Sequence, residues 1–305
     1  MPSDSVVTAR CYPDKRVPTR PRLGRARTGH SGPVRIATFN ILNGRSLEDG
    51  QVDVDRLADS VRALDADVVG LQEVDRDQPR SLGADLTAVA AEAMGAVEHQ
   101  FVAALAGTPG GTWMAATGEE QPGSAGYGIA LLSRHPVRAW RVVRLPALPV
   151  RVPMLFPGRR RPILVDDEPR VAVAAVVDGP FGTLTVANTH LSFLPGWNAL
   201  QLRRLVRSLD GTPEPLVVMG DLNMEPPRPA QVSGLRPLAA GLTFPQDHPC
   251  RQLDHVLVRG DLTATGPAQA LRLPLSDHRA LLIDCVPSDG ARRAPGPRRG
   301  EQEAS

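Results

Sequence analysis

Apolar and polar side chains alternate from Val34 to Phe39, the period of a strand with one buried face, and the run ends at Asn40. Val54, Leu57, Val61 and Leu64 then recur at intervals of three and four, which predicts a helix. Asp67–Leu71 follows as a buried strand, so the body opens as β-α-β. Residues 83–94 read as a second helix and 97–105 as a strand. Tyr127–Ser133, Val137–Arg144, Val171–Val177 and Thr183–Thr189 read as further strands, several joined by short turns. Trp197–Leu209 has a helical period, with Leu200, Leu202, Leu205, Val206 and Leu209 as its apolar side. Leu216–Met219, Leu253–Val258 and Ala280–Cys285 complete the set. Many short strands in direct succession, with few helices, argue against a repeating β-α barrel and for sheets packed face to face with helices outside.

Two stretches break this order. Residues 145–169 carry six prolines, the apolar triplet Met154-Leu-Phe156 and the basic triplet Arg159-Arg-Arg161; residues 107–126 are Gly-rich. Loops this long in a compact domain tend to be functional or disordered. The 145–169 segment reads either as a plain surface excursion or as a peripheral membrane contact, with its apolar triplet among lipid headgroups and its arginines on anionic lipid. The ends differ in kind: residues 1–32 and 287–305 lack hydrophobic period and read as disordered tails, leaving 33–286 as the folded body.

Charge changes the picture once it is divided along the chain. The 305 residues hold 35 basic and 33 acidic side chains, a net +2, but seven basic residues against two acidic ones fall in 1–32, and the 33–286 body is at −4. An acidic body and an aromatic content of 4% are poor equipment for tracking or stacking nucleic acid. The exception is Arg134, Arg138, Arg141 and Arg144, of which Arg134, Arg138 and Arg144 form one strand face only if no bulge intervenes. Cys11, Cys250 and Cys285 are odd in number, far apart and in no metal-ligand spacing, which indicates neither a disulfide framework nor a zinc knuckle. With no apolar signal core and no apolar run long enough to cross a bilayer, a cytoplasmic protein is expected.

Candidate chemistry sits where apolar runs end: Thr38-Phe-Asn40, Leu71-Gln-Glu73, Asn188-Thr-His190, Gly220-Asp-Leu-Asn223 and Ser276-Asp-His278. Strand ends are where a rigid scaffold presents side chains to a cleft. Singly, each has a structural explanation: a turn asparagine, a surface carboxylate, a satisfied core histidine. Together with Tyr127-Gly-Ile-Ala-Leu-Leu-Ser-Arg-His-Pro136 and Gln252-Leu-Asp-His-Val256, and in this order, they resemble the endonuclease/exonuclease/phosphatase superfamily of metal-dependent phosphoesterases over about Val34–Val286.

The resemblance implies a single α/β domain, a four-layer α/β/β/α sandwich of two mixed sheets with helices on the outer faces. It also implies roles. Asp221 would activate the attacking water, positioned by Asn223; His278 would contact the phosphate, with Asp254 fixing its tautomer; His190 would give a second phosphoryl contact. Asn40, Glu73 and Asp277 would hold the metal. Phosphoester hydrolysis builds charge on oxygens that a hard cation stabilises, and an all-oxygen donor set without cysteine suits Mg2+ or Mn2+. Strand alternation turns His255 away from the Asp254 side, and His30, His99, His135, His248 and Cys250 have no partner at useful spacing. Two positions depart from relatives: Leu42 stands where nucleases often carry an acid, and Ile129 where many carry Asn. The substrate therefore stays open among nucleic acid, a phospholipid headgroup as in sphingomyelinases, and a small phosphoester such as an inositol phosphate. A silent module that binds a phosphorylated ligand in the same cleft is the alternative from another class.

Overall fold

The computed structural model describes residues 32–288 apart from 110, 112, 122 and 156–160. The two tails lie almost wholly outside this range, as do Arg159 and Arg160.

Two mixed sheets carry the fold. In the first, the strands lie in the order Leu262–Ala264, Ala280–Pro287, Val34–Asn40, Val68–Arg76, Gly126–Ser133, Glu98–Gly107 and Trp113–Ala115, with Gln269–Leu271 also pairing Ala280–Pro287. In the second the order is Arg236–Pro237, Asp254–Arg259, Leu216–Asp221, Gly182–His190, Arg170–Gly179 and Val137–Leu145. Each sheet is centred on one parallel pair, Val34–Asn40 with Val68–Arg76 and Gly182–His190 with Leu216–Asp221, flanked by antiparallel neighbours.

A parallel pair needs a crossover, and helices Val54–Leu64 and Trp197–Ser208 supply it. Asp53 caps the first by accepting from the backbone N–H groups of Asp55 and Arg56, and Asp65 ends it in a left-handed conformation. Its predicted stripe is buried: Leu57, Val61 and Leu64 join Phe39, Val69 and Leu71 in an outer core. Leu202, Leu205 and Val206 pack likewise on Ala187 and Val218 outside the second sheet. Between the sheets lies a third core, with Ile36, Val68 and Ile129 facing Val186, Met219 and Val256. Three apolar interfaces make four layers, helix, sheet, sheet, helix, as expected.

Some details depart from the sequence reading. Leu200, assigned to the buried side of its helix, is 51% exposed. The 145–169 segment contains a two-stranded hairpin, Val152–Met154 with Ile163–Val165. A bulge does intervene between Val137 and Ala139, and the arginine face dissolves. Arg134 pairs with Asp65 at 3.0 Å, Arg138 with Asp178 at 2.7 Å, and Arg144 donates to the carbonyl of Ala103. Cys285 is a buried free thiol, whereas Cys250, left without a partner by the sequence reading, is disulfide-bonded. No helix among the described residues is long and apolar enough to cross a membrane.

Candidate active site

Register brings the site together. His190, Asp221 and Asp254 are consecutive cross-strand partners at one edge of the second sheet. Their parity is that of Val186, Val217 and Val256, so all three point between the sheets. Asn40 ends a strand of the facing sheet with the parity of Ile36, and its Nδ2 donates across the gap to Asp221 Oδ2 at 3.2 Å. The cleft therefore lies beyond the carboxyl ends of both parallel pairs, where open α/β sheets place their ligands.

Simple alternation would turn Glu73 away from Gln72. A bulge between Gln72 and Val74 intervenes, with Glu73 at φ 56°. Val74 is thereby moved to the helix-covered face, and the Glu73 carboxylate accepts from Asn40 Nδ2 at 2.9 Å. A bulged, left-handed non-glycine residue is a local cost that the surrounding sheet must hold in place. Gln72 does part of that holding. Its Nε2 donates to Thr38 Oγ1 at 3.0 Å and to Asn188 Oδ1 at 2.6 Å, while Asn188 Nδ2 donates to the carbonyls of Leu71 and Ala130. This buried pair pins one sheet to the other directly beneath Glu73. Gly70 makes room for it, since a Cβ there would stand 2.7 Å from Asn188 Cγ.

Gly220 has an equally specific reason. Its φ is 139°, and a Cβ would collide with the carbonyl oxygen of Thr189, so only glycine lets Asp221 emerge at this angle. Asp221 Oδ1 accepts from the Asn223 backbone N–H at 3.0 Å, closing an Asx turn. The Asn223 side chain donates to the Leu191 carbonyl and lies 3.4 Å from His190 Nε2.

His278 reaches the row from the opposite sheet. The Ser276 hydroxyl donates to the Asn40 carbonyl at 2.6 Å and accepts from the His278 backbone N–H at 3.0 Å, fixing the turn. The ring lies 2.8 Å by Nδ1 from Asp254 Oδ2 and 3.7 Å by Nε2 from Asp221 Oδ2, and packs on Phe244 with centroids 4.9 Å apart. Burial opposes its charge, but Asp254 and Asp221 outweigh it and raise the ring to about 10, so it is an imidazolium at neutral pH. Asp221 is pushed up to about 7 by burial, opposed by His278 and reinforced by Asp254. His190 is held well below its ordinary value by burial and then by Arg170, and stays neutral. Two imidazoles in one cleft thus hold opposite charge states.

Two groupings have the chemistry of a metal site. Asp221, Asp254 and His278 each offer one ligand atom, all within 4.8 Å of one another. The other is Glu73 with Asp277. Burial and then the charge of Asp277 raise Glu73, and the Asp277 carboxylate makes no hydrogen bond or ion pair among the described residues. Two carboxylates repelling each other at a cleft rim fit a hard divalent cation. Asn40 fits as a neighbour of Glu73, though its Oδ1 here accepts from the Leu42 backbone N–H at 3.1 Å and its Nδ2 faces the Glu73 and Asp221 carboxylates.

Arg170 escaped the sequence reading. Its side chain is 7% exposed, it lies 3.5 Å from Glu168, and its Nε has no hydrogen-bond partner among the described residues. Its charge bears on Glu73, His190 and Tyr127, which puts a buried guanidinium beside the cleft. The available signal was its position directly before the buried Val171–Val177 run. Other residues stand apart: His255 is buried on the far side with Nε2 2.7 Å from the Met224 carbonyl, and Ile129 is part of the core between the sheets.

The order of these elements is that of a known family, and its model matches residues 37–278, described as Endonuclease/Exonuclease/phosphatase family. The chain belongs to this family. Solved structures of the same fold include an endonuclease/exonuclease/phosphatase from Beutenbergia cavernae, 26% identical with a TM-score of 0.60, covering 85% of this chain and 72% of that one. A mannosyl-6-phosphatase from Bacteroides thetaiotaomicron is 15% identical (TM-score 0.57, 83% and 99% covered), and sphingomyelinase C from Streptomyces griseocarneus 16% (0.55, 83% and 99%). No curated protein matches the sequence. Family membership accords with two mixed sheets meeting at one acidic, histidine-bearing edge.

Proposed function

We propose that the chain is a divalent-metal-dependent phosphoesterase that hydrolyses a phosphodiester or phosphomonoester by attack of an activated water. The observation that carries this is the row His190, Asp221, Asp254 with His278 set against two of its members. A carboxylate raised toward neutrality beside an imidazolium is an acid/base pair whose environments separate their tasks.

In this reading Asp221 takes the proton of the attacking water, and Asn223 and Asn40 keep its two oxygens in place. His278, charged and oriented by Asp254, stabilises the negative phosphoryl oxygens; neutral His190 donates to them, and Arg170 adds charge from the rim. Glu73 and Asp277, with Asn40 beside them, would hold Mg2+ or Mn2+, which when bound supplies Lewis-acid stabilisation of charge developing on those oxygens. They suit this better than the other grouping, because a protonated His278 engaged by Asp254 has no free lone pair to give.

The substrate we favour is a phosphoester other than nucleic acid. The body is acidic, and Arg134 and Arg138 are already committed to Asp65 and Asp178. Fold relatives named as a mannosyl-6-phosphatase and a sphingomyelinase accord with that choice. The test is a side-by-side assay of sugar phosphates, inositol phosphates, sphingomyelin, RNA and plasmid DNA with Mg2+ or Mn2+, with and without EDTA. Chelator-sensitive release of phosphate or headgroup supports the reading. Silence on every substrate, with EDTA making no difference, rejects it.

A further inference from the structure

A continuous surface patch beside the cleft combines exposed apolar side chains with arginines whose side chains have no partner among the described residues. Helix Trp197–Ser208 carries Trp197, Leu200, Arg204 and Arg207 along one stripe at three- and four-residue spacing, with Arg203 adjoining. Leu200 is exposed, and Arg203, Arg204 and Arg207 are exposed with guanidinium groups that make no hydrogen bond or ion pair among the described residues. Arg141, also exposed and without a partner there, is on the edge strand with the parity of Val143 and Leu145, which pack on this helix. At the Trp197 end the stripe runs into an apolar groove of about 470 Å3, walled by Leu194 and Trp197 on one side and Val152, Met154 and Leu155 of the hairpin on the other. Beyond the groove the hairpin region leaves Val150, Leu155 and Leu164 each more than 60% exposed.

We propose that this face, the outer side of helix Trp197–Ser208 together with the hairpin of strands Val152–Met154 and Ile163–Val165, docks on an anionic lipid surface. Such surfaces are held by apolar side chains entering the headgroup layer and by basic residues at its boundary, and here both lie on one side of the molecule. The charge is local: the body is net acidic, yet the helix stripe has only arginines, while Asp210 beyond its end is engaged by Arg259 and Asp166 of the hairpin region by Arg151. The exposed leucines favour lipid over nucleic acid, which would offer them nothing to bury against. The hairpin base is fixed near the cleft, since Asp167 accepts from Ser192, two residues after His190, and the Pro146 carbonyl accepts from Trp197 and Gln201. Docking is independent of whether the cleft hydrolyses a headgroup.

The test is flotation of the full chain with vesicles of phosphatidylcholine alone and of phosphatidylcholine with phosphatidylserine, against two variants and a duplex oligonucleotide as rival ligand. Wild type should bind the phosphatidylserine vesicles and not the neutral ones. Arg203→Gln/Arg204→Gln/Arg207→Gln should weaken binding on the order of a hundredfold. Leu155→Asp/Leu164→Asp should remove the binding that survives in high salt. Every protein carries the same basic N-terminal segment, so the differences report this face, and unchanged thermal melting shows that the variants fold. No vesicle binding by wild type, binding by both variants equal to that of wild type, or arginine-dependent binding of the oligonucleotide alone would overturn the proposal.

Discussion

His278 Nδ1 lies 2.8 Å from Asp254 Oδ2, and both groups are buried. A ring held on this side presents its other nitrogen to the cleft, and the carboxylate behind it stabilises the charged form. Asp254→Asn removes that charge while keeping the shape. We expect kcat to fall by about 10²–10⁴-fold and the alkaline limb of the pH–rate profile to move to lower pH. A profile with its alkaline limb unmoved would separate His278 from Asp254.

On the proposed mechanism, the cleft's own ionisations set the pH range of activity. Asp221, raised to about 7, must lose its proton before it can accept one, so kcat/KM should rise as pH increases through that value. His278, raised to about 10, loses its charge above that point, so activity should fall again there. A pH–rate profile checks both limbs. Asp221→Asn should lose the lower limb together with most of the rate.

Gly220→Ala tests the backbone that delivers Asp221. A methyl group there meets the Thr189 carbonyl oxygen at a φ of 139°. The expected cost is at least about 2 kcal/mol, read as a lower midpoint in urea denaturation.

Asn188→Leu tests the pin between the sheets. It would take the Asn188 donor from the Leu71 and Ala130 carbonyls and leave Gln72 Nε2 with Thr38 and Gly70 alone, at about 1–3 kcal/mol for each group left short of a partner. Because Gln72 precedes the bulged Glu73, half-saturation by Mg2+ should also move to higher concentration. Denaturation and a metal titration of activity read the two effects separately.

How much of this was legible in the chain follows from what each signal depends on. Alternation and helical stripes are local, so the strand ending at Asn40, the Val54–Leu64 helix and the paired strands around His190 and Asp221 were readable. Glu73 was found by its motif and not by period, since the bulge that aims it breaks the alternation such a reading relies on. Arg170 was missed because one arginine before an apolar run looks like a solvated strand end; its burial comes from the sheets on either side. Leu200 went wrong for the converse reason: it is apolar, but its phase puts it on the face of Trp197, Arg204 and Arg207, opposite the buried Leu202, Leu205 and Leu209. Gln72 and Asn188 sat in the right segments, yet their partnership across 116 positions of sequence exists only once the sheets face each other.

The central claim is that Asp221 activates water in a metal-dependent phosphoesterase. The most direct measurement is the hydrolysis of bis-p-nitrophenyl phosphate in Mg2+ or Mn2+ by wild type and by Asp221→Asn, each with and without EDTA. We predict metal-dependent turnover in the wild type, lost in EDTA and lowered by about 10²-fold or more in the variant. Equal turnover by the two proteins, or wild-type turnover indifferent to EDTA, would contradict the account.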